Sequence, residues 1–590
     1  MTFRHFISAI AISLIALTTT AQRNVTLKII QTSDVHGVLF PFDYINNRAI
    51  NHGLAHVHSY VKKQRQVPDQ HVILLDNGDI LQGQPPVYFA NYIDTAKQHL
   101  VSKVMNYMAY DAATVGNHDI EAGPNIYNRL VEEFHFPWLS ANTIDTRTGK
   151  PYFKPYTTIT RDSVKVAILG LTTPGIPKWL SPNLWENMEF TDMIETAKIW
   201  IDSIQIKESP HVIIGLFHSG HDAYYGGGKP SEPLNENASL LVAQQVPGFD
   251  VILIGHDHDE TIKHVVNING DTVLVSDPGS QGYTVSDITI KLELDKNNAT
   301  HNKSIRGKLQ PMRGLLPDHE FVSKFSDFTR EVEQFTDRKI GYITQPISSR
   351  DAYFGSSPFM HLVHSAQLGV SNSDISIAAP LSFDTKIEQG NIYVRDMFKL
   401  YSYENLLYIM NLSGKEIKDY LEYSYGLWYN TMRTENDNLL LFRKDHKHKP
   451  ILNKRGKAYL KSSYYNFDSA EGINYTVDVS KPKGRRIEIT SMKDGTPFDL
   501  EKTYKVAVNS YRGAGGGGHL TEGAGLTKDE IEQRIVNISP LDMRHYLMKW
   551  IEHVYTIVPE YPNNWKVIPE DWATQAAERD KRLLFKIEDK

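Results

Sequence analysis

Short apolar runs that each stop at a polar cluster constrain this chain more than any other feature. Residues 25–33 alternate as a strand does and end at Asp34-Val35-His36-Gly37. Residues 71–75 end at Asp76-Asn77-Gly78-Asp79, and 112–115 end at Gly116-Asn117-His118-Asp119. Residues 164–171 run into Thr172-Thr173-Pro174-Gly175, 211–217 into His218, and 250–254 into Gly255-His256-Asp257-His258. Runs this short with such punctuation predict strands. Helical periodicity over 51–64 and 193–206 lies between them, and 272–276 and 284–294 read as closing strands. Strands alternating with helices predict an α/β layer arrangement.

The polar ends carry the chemistry. Five of them supply Asp34, His36, Asp79, Asn117, His218, His256 and His258. Carboxylate, amide and imidazole donors suit Zn, Mn, Co, Fe or Mg rather than a thiophilic ion. Asp-x-His or Gly-His-x-His alone says little. The ordered series is specific because each member stands at the carboxyl end of a predicted strand, where α/β proteins place their sites. Other histidines carry no such pattern. His52, His56 and His58 share a predicted helix without a third ligand and are expected on a solvated face.

The chain has 590 residues, 41% apolar and 22% charged, with net charge −6, which allows several globular domains and argues against a polybasic nucleic-acid or membrane surface. There is no Cys, which excludes disulfides, thiolate metal sites and a lipid-modified Cys. Arg4-His5, an apolar stretch over 6–17 and a small-residue zone ending at Ala21 read as a cleaved export signal over 1–21, implying a periplasmic or secreted protein with no membrane attachment after cleavage. Phe321, Phe325, Phe328, Val332 and Phe335 form one apolar stripe, predicting a single helix over 318–338 that connects two domains. A core helix of the first domain is the alternative. The basic stretch 439–461 is expected to be an exposed loop, and 559–590 a tail.

Taken in order, Asp34-x-His36, Gly78-Asp79, Gly116-Asn117-His118-Asp119, His218 and Gly255-His256-x-His258 resemble the motifs of the calcineurin-like metallophosphoesterases. The resemblance implies a four-layer α/β/β/α sandwich over 25–310 with a connecting helix over 311–338. It also implies two divalent metal ions. Asp34, His36 and His258 would hold one, Asn117, His218 and His256 the other, and Asp79 would bridge them. His118, beside a ligand but not one itself, would protonate the leaving group, with Glu121 orienting its ring. Related nucleotidases carry an Asp where this chain has Glu121.

The second half, 339–558, resembles the C-terminal domain of the exported nucleotidases, a mixed α/β domain that holds a base between two aromatic rings. Tyr403 and Tyr511 match those rings; Asn405 and the glycines Gly515, Gly516 and Gly517 are the further candidate substrate contacts. Typical 5′-nucleotidases carry Asn-Gly-Gly-x-Arg after the strand at 375, where this chain has Ala378-Ala379-Pro380-Leu381-Ser382. They carry an Asp where this chain has Gly517. Ala378-Ala379-Pro380, Tyr401-x-Tyr403-x-Asn405, Tyr465-Asn466-Phe467-Asp468 and Tyr511-Arg512 with Gly515 to His519 instead resemble the periplasmic 2′,3′-cyclic-nucleotide 2′-phosphodiesterase/3′-nucleotidases. The resemblance implies a nucleotide substrate of that kind and no duplex nucleic acid. The alternatives are a 5′-nucleotidase or nucleotide-sugar hydrolase, and a surface nucleotide-binding protein without turnover.

Overall fold

In the computed structural model, which describes residues 23–225, 228–453 and 456–586, strand register aligns the polar ends. Thr32 pairs with Asp76, and Asp76 with Ala113, in parallel strands Arg23–Thr32, Gln70–Asp76 and Ala112–Thr114. In a second sheet Thr172 pairs with His218 and Phe217 with Ile254, joining Val164–Thr172, Val212–His218 and Val251–Ile254. Each sheet has six strands. The first adds Thr284–Leu294 and Thr300–Pro311 on one edge and Trp138–Leu139 on the other. All the candidate ligand loops therefore leave the sheets at one end.

Side-chain alternation builds the layers. Leu27, Ile29, Ile73 and Leu75 face the other sheet, meeting Val166, Ile168, Ile214 and Leu216 in a core between the sheets. Their neighbours Ile30, Val72 and Leu74 face outward under helices that include Leu54–Arg65. On the far side Ala167, Leu169 and Leu171 pack under Met193–Glu208 and Ser239–Gln245. Three stacked cores make the expected α/β/β/α sandwich.

A second α/β domain follows. Its five-stranded sheet runs in the order Ser469–Glu471, Ile375–Ala378, Thr503–Asn509, Leu406–Ser413 and Ile535–Asp542. Apolar cores lie on both faces of this sheet, and Tyr88 of the first domain joins one of them.

Four stretches differ from the sequence reading. The Phe stripe forms two helices, His319–Lys324 and Ser326–Thr336, broken at Phe325. Ser326 and Asp327 favour a fresh helix start over an interior turn. Phe321, Phe325 and Val332 lie in the first-domain core, while Phe335 touches that core and the second-domain one. His52, His56 and His58 are buried, not solvated, and only the last two lie on the helix, which starts at Leu54: His52, before it, stacks on Tyr283, and His58 packs near Phe321. The 439–461 stretch folds back in isolated bridges and buries Leu439, Leu440, Phe442 and Ala458. Residues 565–568 add a strand beside Ile473–Asp478, and the helix Glu570–Phe585 buries Ala576, Leu584 and Phe585 in the second-domain core. The export-signal reading falls on residues outside those described. Among the described residues no helix is long and apolar enough to cross a membrane.

Candidate dimetal site

The loops at the common sheet end bring the candidate ligands into two groups. Ligand atoms of Asp34, His36 and His258 lie within 4.8 Å of one another, as do those of Asp79, His218 and His256. Asn117 Oδ1 lies 3.1 Å from His218 Nε2, so Asn117 joins the second group. Backbone shape is part of this design. Asp34, His36, Asp79, His256 and His258 all have positive φ, a conformation that residues with a Cβ adopt only where the surroundings impose it.

Those surroundings can be named. Asp119 accepts from the backbone N–H of Gly116, Asp79, Ile80 and Leu81 at 2.8 to 3.2 Å, clamping two ligand loops together. Gly116 has to be glycine, since a Cβ there would stand 2.2 Å from Asp79 Oδ1. His218 Nδ1 donates to the Asn77 carbonyl at 2.7 Å, and His36 Nδ1 faces the carbonyl and the amide oxygen of Gln82 at 3.2 Å each. Donation from Nδ1 turns Nε2 inward, the orientation a metal ligand needs. At His218 burial is outweighed by Asp79, 3.2 Å from Nε2, which raises the group to about 10.

The donor set fits cations. Asp34 Oδ1 is buried and accepts no hydrogen bond, although His258 Nε2 is 3.3 Å away. His36 Nε2 and His258 Nε2 face each other at 3.1 Å, a pair of ring nitrogens that a shared proton or a cation between them satisfies. Burial and the nearby His258 push the His36 imidazole down to about 4, keeping it a neutral donor. Nitrogen and oxygen donors with no thiolate match borderline or hard divalent ions.

His118 stands beside these groups. Its backbone N–H donates to Asp79 Oδ1 at 2.8 Å, and its Nδ1 lies 2.5 Å from the buried carboxylate of Glu121. Burial alone would lower its pKa, but the carboxylates of Asp79 and Glu121 outweigh it and raise the group to about 9. Both carboxylates favour the protonated ring, and Glu121 accepts from Nδ1–H. His118 is not in either ligand group.

Across the cleft, the second domain brings the other quoted motifs together. Arg512 donates to Asp468 from Nε at 2.8 Å and from Nη2 at 3.0 Å, and also reaches the Tyr465 carbonyl and Asn466 Oδ1. Gly517 has φ +73°, and a Cβ there would meet Arg512 Nη1 at 2.4 Å. A Cβ on Gly516 would meet the Tyr511 ring at 2.5 Å. These two glycines thus have a packing reason independent of any ligand; Gly515 also has positive φ. Tyr403 meets Tyr465 edge to face at 6.4 Å, and the Tyr225 and Tyr465 hydroxyls are 3.4 Å apart. Asn405 is buried, and its backbone carbonyl accepts from Met543 N.

Several site residues escaped the sequence reading. Trp179 stacks on His256 at 5.5 Å, and Glu236 Oε1 is 3.4 Å from His256 Nε2. Gln82, Tyr88 and Tyr92 make polar contacts to the second domain. None of these lies at a strand end with a repeated pattern, so only a third-dimension contact reveals them.

Comparison with known proteins agrees with this architecture. Residues 27–260 match the calcineurin-like phosphoesterase model, and residues 339–522 match the 5′-nucleotidase C-terminal domain. A 2′,3′-cyclic-nucleotide 2′-phosphodiesterase/3′-nucleotidase from Yersinia enterocolitica is 27% identical, over 94% of this chain and 90% of that protein. The trifunctional nucleotide phosphoesterase YfkN of Bacillus subtilis is 26% identical over 93% of this chain, which spans only 39% of that longer protein. Among solved structures, a Staphylococcus aureus protein in complex with alpha-ketoglutarate superposes with TM-score 0.74 at 22% identity, covering 92% of this chain and 99% of that one. A 5′-nucleotidase precursor from Thermus thermophilus gives 0.61 at 21% identity, covering 92% and 100%.

Proposed function

We infer the activity from a family: the chain belongs to the 5′-nucleotidase family, a calcineurin-like phosphoesterase domain followed by the 5′-nucleotidase C-terminal domain. It is a metallophosphoesterase-type hydrolase. Within that family our reading is an exported enzyme that opens 2′,3′-cyclic nucleotides to 3′-nucleotides and then releases the 3′-phosphate. The observation that carries the hydrolase reading is two N/O donor groups around Asp79 with His118, its Nδ1 held by Glu121, at their edge. The cyclic and 3′ preference is supported by Ala378-Ala379-Pro380 and Gly517, which replace the 5′-nucleotidase residues, and by the Yersinia relative.

Asp34, His36 and His258 would hold one divalent ion, and Asn117, His218 and His256 the second, with Asp79 shared. Bound there, such ions take up charge on the phosphoryl oxygens and make a nearby water acidic enough to serve as nucleophile near neutral pH. The chain's own residues then handle the leaving group. His118 gives its Nε2 proton to the ribose 2′-oxygen as the P–O2′ bond breaks, regains a proton from solvent, and in the second reaction gives it to the 3′-oxygen as the P–O3′ bond breaks. Glu121 keeps Nδ1–H donated to itself, so that Nε2 faces the cleft. Tyr403 and Tyr511 stack on the base, a contact worth about 1–3 kcal/mol for any base.

The test is phosphate release from 2′,3′-cyclic AMP, 3′-AMP and 5′-AMP with and without chelator, the cyclic ester being assayed also for ring opening. Chelator-sensitive turnover of the first two is expected. Activity on 5′-AMP alone overturns the substrate assignment, and no activity on any of the three overturns the hydrolase reading.

A further inference from the structure

Gln82 is buried between the two domains and uses both ends of its amide. Its Oε1 lies 3.2 Å from His36 Nδ1, and its Nε2 donates to the carbonyl of Ser402 at 3.2 Å. The opposite amide orientation would set its oxygen against the Ser402 carbonyl, two acceptors facing each other. One end thus orients a candidate metal ligand, and the other holds the second domain.

What it holds is a stiff piece of chain. Arg544, itself buried, donates from Nε to the Tyr401 carbonyl at 2.8 Å, from Nη2 to the Ser402 carbonyl at 2.8 Å and from Nη1 to Glu404 Oε1 at 3.2 Å. Its guanidinium lies over the Phe398 ring at 4.4 Å. Tyr403 sits in the middle of this segment. The first domain touches the segment a second time, where the Tyr92 hydroxyl donates to Glu404 Oε2 at 3.2 Å.

We propose that Gln82 is a positioning residue that fixes the separation between the aromatic segment around Tyr403 and the His36 side of the phosphoryl-binding centre. The inference rests on the nucleotide reading and deepens it. A nucleotide occupies both places at once, so its binding depends on that separation. A phosphate ester without a nucleobase occupies only the centre. Gln82 therefore contributes to selection for nucleosidic esters over simple ones, although it touches neither base nor phosphate.

Gln82→Glu and Gln82→Met separate the two ends. The carboxylate still accepts from His36 Nδ1 but repels the Ser402 carbonyl; the thioether does neither. Tyr92→Phe removes the second interdomain link without touching His36, and serves if a Gln82 variant does not fold. Bound metal, kcat and KM would be measured with 2′,3′-cyclic AMP and with bis(p-nitrophenyl) phosphate on the full chain. For Gln82→Glu and Tyr92→Phe, KM for the nucleotide is expected to rise about three- to tenfold relative to KM for the simple ester, with metal retained. For Gln82→Met the same relative rise is expected with metal retained, since the backbone carbonyl of residue 82 still faces His36 Nδ1 at 3.2 Å. Equal changes for both substrates, or no change, overturn the inference. A wild-type chain that cleaves the simple ester but no nucleotide overturns the functional reading beneath it.

Discussion

At the scale of single residues, His118 is the group whose surroundings differ most from those of the donors beside it. His36 and His218 use Nδ1 on carbonyl or amide oxygens and turn Nε2 inward, whereas His118 gives Nδ1 to a carboxylate. A carboxylate partner stabilises imidazolium more than a neutral carbonyl does. His118→Ala is therefore expected to keep its metal content while turnover of 2′,3′-cyclic AMP falls about 10²–10⁴-fold. The loss should shrink for bis(p-nitrophenyl) phosphate, because p-nitrophenolate leaves without a proton. Elemental analysis beside both assays checks this. Metal lost with His118 would make it a ligand, and equal losses on both substrates would remove the acid role.

At the scale of elements, the site depends on loops that approach more closely than side chains normally permit. The Gly116 turn lies against Asp79, with a would-be Cβ 2.2 Å from Oδ1 and 2.5 Å from the backbone nitrogen. Neither neighbour can yield, since Asp119 holds the Asp79 and Gly116 backbone nitrogens on one carboxylate. Gly116→Ala is expected to cost about 1–3 kcal/mol in unfolding free energy and to lower bound metal. Urea unfolding with elemental analysis tests it; full metal loading at unchanged stability would mean that Asp79 has room to move. The ligand loops are the part of the site most legible in sequence, because strand alternation announces where each loop begins and the loop residues themselves are ligand types; their close approach is not. The domain contact was not legible. Gln82 meets a carbonyl 320 residues away and Tyr92 a carboxylate 312 residues away, and neither side chain repeats with any period. His52 and His58 misled for a related reason: a polar residue type suggests solvent, but Tyr283 and Phe321 come from distant chain to cover them. A break at Phe325 likewise leaves the apolar stripe unchanged while ending the helix.

At the scale of the whole molecule, each domain buries a histidine that stays neutral. His99 caps the helix Leu100–Met108, accepting from Val101 N at Nδ1 and placing Nε2 2.9 Å from Asn91 Oδ1. A proton on Nδ1 would displace the helix N–H it accepts, and burial pushes the group down to about 4. In the second domain burial and then the Arg512 charge push His519 down to about 3. An imidazole with a depressed folded pKa favours the folded state fully above the unfolded value of 6.5. That advantage drains as pH falls, because only the unfolded chain takes up the proton. From pH 6.5 down to 4 the His99 contribution lost is up to about 3 kcal/mol, at no more than about 1.4 kcal/mol per pH unit. The metal ligands also titrate, and they do so equally in two chains that differ only at residue 99. The difference between chains therefore isolates that residue. Urea unfolding of metal-stripped wild type and His99→Gln at several pH values between 7 and 4.5 is expected to give a shallower slope for the variant, whatever its stability at neutral pH. Parallel slopes would mean that His99 is protonated inside the fold, with the Val101 N–H released to another acceptor.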